Sequence, residues 1–238
     1  NIVCIKRDGA VLFENVLLAP QDRTDRSGLT VERIVEFAQR VPVEAVRDIL
    51  DRQIAYNMAI AEEGIANNYG ANIGKTFLHG YQPDIKIKAK AYAAAGSDAR
   101  MNGCELPVII NSGSGNQGIT STVPVIVFAR ENGIPEERMH RALVFSALLT
   151  IYQKEYIGKL AAALVEDNDV IFIDSGTTAY RMLHYMKDVK NVTVISHCLD
   201  VMMEIRKLPH LTGICVGGVI QHDSGTFVLD STFYPYNY

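Results

Sequence analysis

The residues best suited to chemistry fall in one stretch, Arg100 to Gly118, which reads RMNGCELPVIINSGSGNQG. Its core, Asn111-Ser112-Gly113-Ser114-Gly115-Asn116-Gln117-Gly118, has three glycines in the six positions 113–118. Glycine lacks a Cβ, so the backbone can turn tightly and approach a ligand closely. Two serines, two asparagines and a glutamine add neutral donors and acceptors. A small polar anion suits such a loop, either an amino-acid carboxylate or a phosphate, cradled by successive N–H groups. A shorter loop of the same kind, Asp174-Ser175-Gly176-Thr177-Thr178, follows downstream. The plain alternatives are a tight structural turn for the first loop and a helix N-cap for the second.

The elements that must position these loops follow from periodicity. Val3, Ile5, Val11 and Phe13 alternate around Asp8-Gly9, which predicts a hairpin over residues 1–14. Thr30 is a suitable N-cap for a helix to about Arg40. Pro42 opens a longer helix with an apolar stripe of Val46, Ile49, Leu50, Ile54 and Met58, ended by Gly64 and Asn67-Asn68. Gly70 and Gly74 frame a loop or helix start, and Ile85 to Ala95 reads as helix. A polar loop is expected from Gly96 to Gly103, then a strand from Leu106 to Ile110 feeding the first glycine loop. Helices are expected from Pro135 to about Leu149 and from Tyr152 to Val165.

Beyond Asp167 the texture changes. Continuous apolar runs at Val170–Ile173, Val192–Ile195 and Ile214–Val216 alternate with helical segments Ala179–Met186 and Leu199–Leu208. That pattern predicts a parallel β-α-β-α-β unit covered on both faces. The expected fold class is α/β: a mixed α+β region over residues 1–162, then a partial parallel unit over 163–238, each with its own core.

Composition narrows the function. The chain has 238 residues, 48% of them hydrophobic, which is ample for a core. A net charge of −4 gives no electrostatic reason to expect direct nucleic-acid binding. Lys6-Arg7 and Lys86/Lys88/Lys90 read as solvated faces. No apolar run approaches the roughly 18 residues of a membrane helix, so no membrane partner is expected. Cys4, Cys104, Cys198 and Cys215 are scattered without a C-x-x-C, which fits a reducing cytoplasm and small buried hydrophobes. The six histidines show no metal-ligand spacing, so no metal site is expected. The chain starts at Asn1 with no signal peptide and no initiating Met, which suggests a fragment.

Four motifs carry a resemblance over residues 1–162: AIAEEGIANNYGANIGK (59–75), AAAGSDARMNG (93–103), PVIINSGSGNQGI (107–119) and LLTIYQKEYIGKLAA (148–162). They resemble the serine dehydratase α-chain/L-cysteine desulfidase-like family. The resemblance implies a lyase that eliminates water or sulfide from serine or cysteine, giving pyruvate and ammonia. It also implies a [4Fe–4S] cluster with one open iron, which polarises the leaving group as a Lewis acid. Ser112, Gly113, Ser114, Gly115, Asn116 and Gln117 would hold the substrate, with Asp98, Arg100 and Asn102 converging on the same pocket. Arg100 is a candidate bidentate carboxylate partner, and for Asp98 and Arg100 an internal ion pair is the competing reading. The family's N-terminal Cys-Thr-Glu-Pro segment and its cysteine-bearing C-terminal half have no counterpart here. This chain alone is therefore expected to hold no intact cluster.

A second resemblance covers residues 157–229, carried by IGKLAAALVEDNDVIFIDSGTTAYRML (157–183), NVTVISHCLDV (191–201) and GICVGGVIQHDSGTFV (213–228). It is similar to the effector-sensing domain of DeoR-type repressors, a ribose-phosphate-isomerase-like fold. The resemblance implies sugar-phosphate sensing, with Ser175, Gly176, Thr177, Thr178, Gly217 and Gly218 around the phosphate. The winged helix-turn-helix of such regulators is absent, and His197 stands where Asn is expected. The two resemblances meet at Ile157 to Ala162, so the chain reads as a chimaera. The leading expectation is a lyase-type fragment in the cytoplasm, able to form a homo-oligomer; the alternative is a sugar-phosphate-sensing module.

Overall fold

The computed structural model describes residues 4–7, 10–14, 26, 28–82, 84–221 and 225–228, with backbone alone for 4–7 and 10–14. β1 (Cys4–Arg7) and β2 (Ala10–Glu14) pair antiparallel, as the alternation predicts. The Asp8-Gly9 turn lies outside the described residues.

Six helices follow: α1 (Val31–Arg40), α2 (Glu44–Ala66), α3 (Ile73–Gly80), α4 (Ile85–Met101), α5 (Gly115–Glu131) and α6 (Glu136–Ala162). Thr30 caps α1 by accepting from the Arg33 amide at 3.3 Å. In α2 the expected stripe is buried at Leu50 and Met58, whereas Ile49 faces solvent.

Three expectations are corrected. First, Gly96 to Met101 is helix, not loop. Gly96 faces Ala61 and Ile119, and a Cβ there would lie 3.2 Å from the Ala61 Cα, so the glycine serves close packing and not a turn. Second, Leu106–Ile110 is not a strand and joins no sheet among the described residues. The Asn57 side chain serves as its partner, accepting from the Ile109 amide (2.9 Å) and donating to the Ile109 carbonyl (3.2 Å). A buried backbone needs such partners, and here one amide side chain supplies what a neighbouring strand would. Third, α6 does not break near Leu149. Thr150 satisfies its hydroxyl on the Ser146 carbonyl at 2.8 Å, and no Gly or Pro interrupts the turn.

The C-terminal part contains β3 (Val170–Phe172), a 3-10 helix (Ala179–Tyr185) in place of the expected α-helix, β4 (Val192–Ser196), α7 (Leu199–Ile205) and β5 (Leu211–Cys215). The strands form a parallel sheet, as the texture predicts, and their order is β3-β4-β5. Among the described residues coverage on both faces is not observed: β4 alternates buried and half-buried residues, while Val170, Phe172 and Ile214 on the flanking strands are exposed. β6 (Val219–Gln221) and β7 (Thr226–Val228) form a separate hairpin.

Buried apolar residues fall into two clusters. One joins α1, α2, α4, α5 and the first half of α6, including Leu50, Ile60, Ile119, Ile126 and Leu143. The other gathers Ala162, Ile173, Leu183, Val192, Val194 and Val201 around the sheet. Helix α6 contributes to both. The fold is therefore mixed α/β, mostly helical, with a small parallel sheet in its C-terminal part.

Candidate functional site

The first glycine loop is a two-residue turn followed by a helix start. Ser112 (φ 50°) and Gly113 (φ 82°) both take left-handed backbone. The Asn111 amide donates to the Ser114 carbonyl and the Ser114 amide donates to the Asn111 carbonyl, each at 3.0 Å. This is the geometry of a type I′ turn, which favours glycine and leaves a serine at Ser112 strained. Asn111 anchors the turn by donating to the Ser121 hydroxyl and the Ala147 carbonyl, both at 3.3 Å. Ser114 then caps α5, accepting from the Gln117 amide at 3.3 Å. The Gly115 and Asn116 amides open that helix and have no intrahelical acceptor. Gly118 lies so close to the segment before the turn that a Cβ would sit 2.0 Å from the Ile109 carbonyl oxygen.

Among the other expected residues, only Arg100 reaches this loop. Its guanidinium lies against the bare Cα of Gly115 and donates to the Asn116 side-chain oxygen at 3.2 Å. Asp98 instead accepts from the Ile73 amide at 2.8 Å and so caps α3, whose own cap residue makes no side-chain bond. Asn102 donates to the Asp98 carbonyl at 2.8 Å and closes the end of α4. Neither joins the turn.

The second loop meets the first through Lys154, a buried residue of α6. Its ammonium donates to the Ser112 carbonyl at 3.0 Å and to the Thr177 hydroxyl at 2.6 Å. A Cβ on Gly113 would lie 3.7 Å from the Thr177 methyl, so the two loops are in contact. Burial, reinforced by the nearby Arg181 cation, lowers the Lys154 pKa to about 8. The Ser112 hydroxyl is buried at this junction with no hydrogen-bond partner among the described residues. In the second loop the Ser175 amide is already taken by the Asp174 carboxylate at 2.7 Å. An anion would have to displace that carboxylate to reach this amide. Gly176 does not require glycine, since its φ is ordinary and a Cβ would meet nothing closer than 4.0 Å. Gly218 (φ 149°) packs on the Val228 carbonyl and belongs to the β6–β7 hairpin; among the described residues no hydrogen bond ties Gly217 or Gly218 to Ser175–Thr178.

Sequence reasoning missed Lys154, although a signal existed. Thr150, Lys154, Gly158 and Ala162 recur every fourth residue and form the buried stripe of the second half of α6. A lysine in such a stripe needs acceptors from elsewhere in the fold. Beside it lies a cavity of about 990 Å³, lined by Arg26, Tyr152, Glu155, Tyr180, Arg181 and Tyr185 among others. Glu155 holds the Arg26 (2.9 Å) and Arg181 (3.3 Å) cations and accepts from the Tyr185 hydroxyl (3.1 Å). Burial, and then the Glu155 charge, raise the Tyr185 pKa.

The three cysteines whose side chains are described lie apart from one another. Cys104 packs against the first core and Cys198 lies inside the second, while Cys215 is exposed at the end of β5. Among the described residues no group of ligand-bearing side chains close enough to share a metal includes a cysteine. The group that does occur is Asp51, Glu136 and His140, distant in sequence from both loops. No helix among the described residues is long and apolar enough to cross a membrane.

The family model for the serine dehydratase alpha chain matches residues 13–164, and that for the DeoR C terminal sensor domain matches residues 150–233. The two matches overlap within and just beyond the second half of α6. A UPF0597 protein of Lachnoclostridium phytofermentans is 55% identical over 163 residues, covering 68% of this chain and 39% of its own. One from Desulfitobacterium hafniense is 53% identical over 164 residues, covering 68% and 38%. The chain thus spans about two-fifths of the length of these relatives. Among solved structures, eIF2B beta from Chaetomium thermophilum aligns with 79% of this chain and 63% of its own, at 9% identity and a TM-score of 0.29, a likeness too slight to bear on the fold.

Proposed function

This chain belongs to the serine dehydratase alpha chain family, and on that premise we propose that residues 13–164 carry the amino-acid-binding part of a lyase acting on serine or cysteine. The observation that supports it is the type I′ turn at Ser112-Gly113 feeding the start of α5, with Arg100 held beside Asn116. A substrate carboxylate there receives the Gly115 and Asn116 amides and the Arg100 guanidinium. Held by its carboxylate, the amino acid loses its Cα proton to a base and its β-hydroxyl or thiol leaves with the bonding electrons. The resulting enamine tautomerises and hydrolyses to pyruvate and ammonia. The Lewis acid for the leaving group, a [4Fe–4S] cluster in this family, finds no ligand set in the described residues. The chain spans about two-fifths of the length of its relatives, and the amino-acid-binding part alone is assigned to it.

The test is a titration with L-serine and L-cysteine, read by amide NMR shifts. Shifts confined to Ser112–Gln117, absent with L-serine methyl ester and lost in Arg100→Ala, are the expected result. Unchanged shifts at millimolar serine sink the carboxylate cradle.

A further inference from the structure

We propose that Glu136 and His140 of α6, with Asp51 of α2 orienting the imidazole, form a binding site for a divalent transition cation of the Zn²⁺ class. One ligand atom from each residue lies within 4.8 Å of the others. Glu136 and His140 stand one turn apart on α6, and Asp51 comes from α2. The His140 ring is completely buried, with Nε2 at 2.8 Å from the Asp51 carboxylate. A hydrogen on Nε2 donates to Asp51 and leaves a lone pair on Nδ1. That Nδ1 is buried and has no hydrogen-bond partner among the described residues. It faces the Glu136 carboxylate at 3.9 Å.

Two acceptors facing each other across a short gap repel unless a cation or a proton lies between them. A Zn²⁺ ion bonded at about 2.0–2.2 Å to nitrogen and oxygen places tetrahedral donors about 3.4 Å apart. The exposed Glu136 side chain closes the remaining half ångström by a small rotation. Asp51 then takes the part of the carboxylate that orients a metal-bound imidazole through its other nitrogen. Water completes the coordination on the solvent side, where Asp51 and Glu136 are both exposed. One group competes: the Arg47 guanidinium donates to the same Glu136 oxygen at 2.9 Å. The ion must displace it.

The competition gives the site a signature that a purely structural ion-pair cluster lacks. Chelator-treated chain is titrated with Co²⁺, followed by visible absorption, and with Zn²⁺, followed by calorimetry. One equivalent and nitrogen–oxygen-type d–d bands are expected. Asp51→Asn weakens the affinity about 10–100-fold, and Glu136→Gln weakens it at least as much. Arg47→Ala strengthens it. His140→Gln should abolish binding, but that residue is buried and the variant can fail to fold; Glu136→Gln, at an exposed position, keeps the test decisive. No cobalt spectrum, an affinity unchanged in Glu136→Gln, or no gain in Arg47→Ala overturns the proposal. So does a thiolate-to-cobalt charge-transfer band, which would assign the metal to a cysteine.

Discussion

The two clusters of buried residues are closed in different ways. In the first, helices meet backbone to backbone: a Cβ on Gly64 would lie 2.2 Å from the Ala95 carbonyl oxygen, and one on Gly74 would lie 2.5 Å from that of Ala91. In the second, a three-stranded sheet keeps apolar side chains such as Phe172 (60% exposed) and Val170 (67%) in solvent. Close packing makes the first core intolerant of added volume, because a displaced backbone carries its whole helix with it. The open sheet tolerates change on its bare side, and its covered side packs on Leu183, Met186, Val201 and Ala162. The comparison therefore predicts unequal responses to added volume at a glycine.

The largest effect should come from Gly64→Val, which forces α2 from α4 and is expected to lower stability by about 3 kcal/mol in urea denaturation. The matched change Gly176→Ala, where a Cβ has ordinary room, should stay within about 0.5 kcal/mol. If the two come out equal, the contrast between a closed and an open core is wrong.

Lys154 tests how the two halves communicate. Lys154→Met removes the donor to the Ser112 carbonyl and the Thr177 hydroxyl. Hydrogen exchange of residues 175–178 should then open about tenfold more readily, the equivalent of one hydrogen bond. A pH effect accompanies this. The folded-state pKa of about 8 lies below the usual 10.5, so between those values the unfolded chain binds more protons. Native stability relative to Lys154→Met should rise as pH climbs from about 8 toward 10.5. A flat difference across that window would mean the amine is well hydrated.

The smallest expected effect is that of Phe172→Ser, within about 0.5 kcal/mol because the ring is mostly exposed. Its readout is self-association: light scattering should fall as the apolar patch shrinks. Unchanged scattering would mean that the bare sheet face does not drive contacts between molecules.

Much of this was legible in the sequence, for reasons that differ by element. Thr30, the alternating hairpin residues and the continuous apolar runs declare themselves locally, so α1, the first hairpin and the parallel sense of the C-terminal sheet could be read directly. Glycine was the main source of error. Gly96 reads as a breaker, yet it sits within α4 because Ala61 presses on it from another helix, a fact no local pattern contains. The segment Leu106–Ile110 has strand-forming residues, but its partner is the side chain of Asn57, 52 positions away from Ile109. Likewise the composition of the loops announced polar sites, whereas Lys154, which joins them, and Asn102, which does not, were settled by tertiary contact.

The reach of Lys154 also sets a timetable. Its acceptor Ser112 lies 42 positions earlier and Thr177 lies 23 positions later. At about 5–20 residues per second of synthesis, the glycine turn leaves the ribosome about 2–8 seconds before the amine that will hold its carbonyl. Thr177 follows about 1–5 seconds after that. The nascent turn therefore has to rest on Asn111 and Ser114 alone at first. The junction can be fastened only after Thr177 has emerged, and a pause in translation near position 154 would lengthen the interval before that.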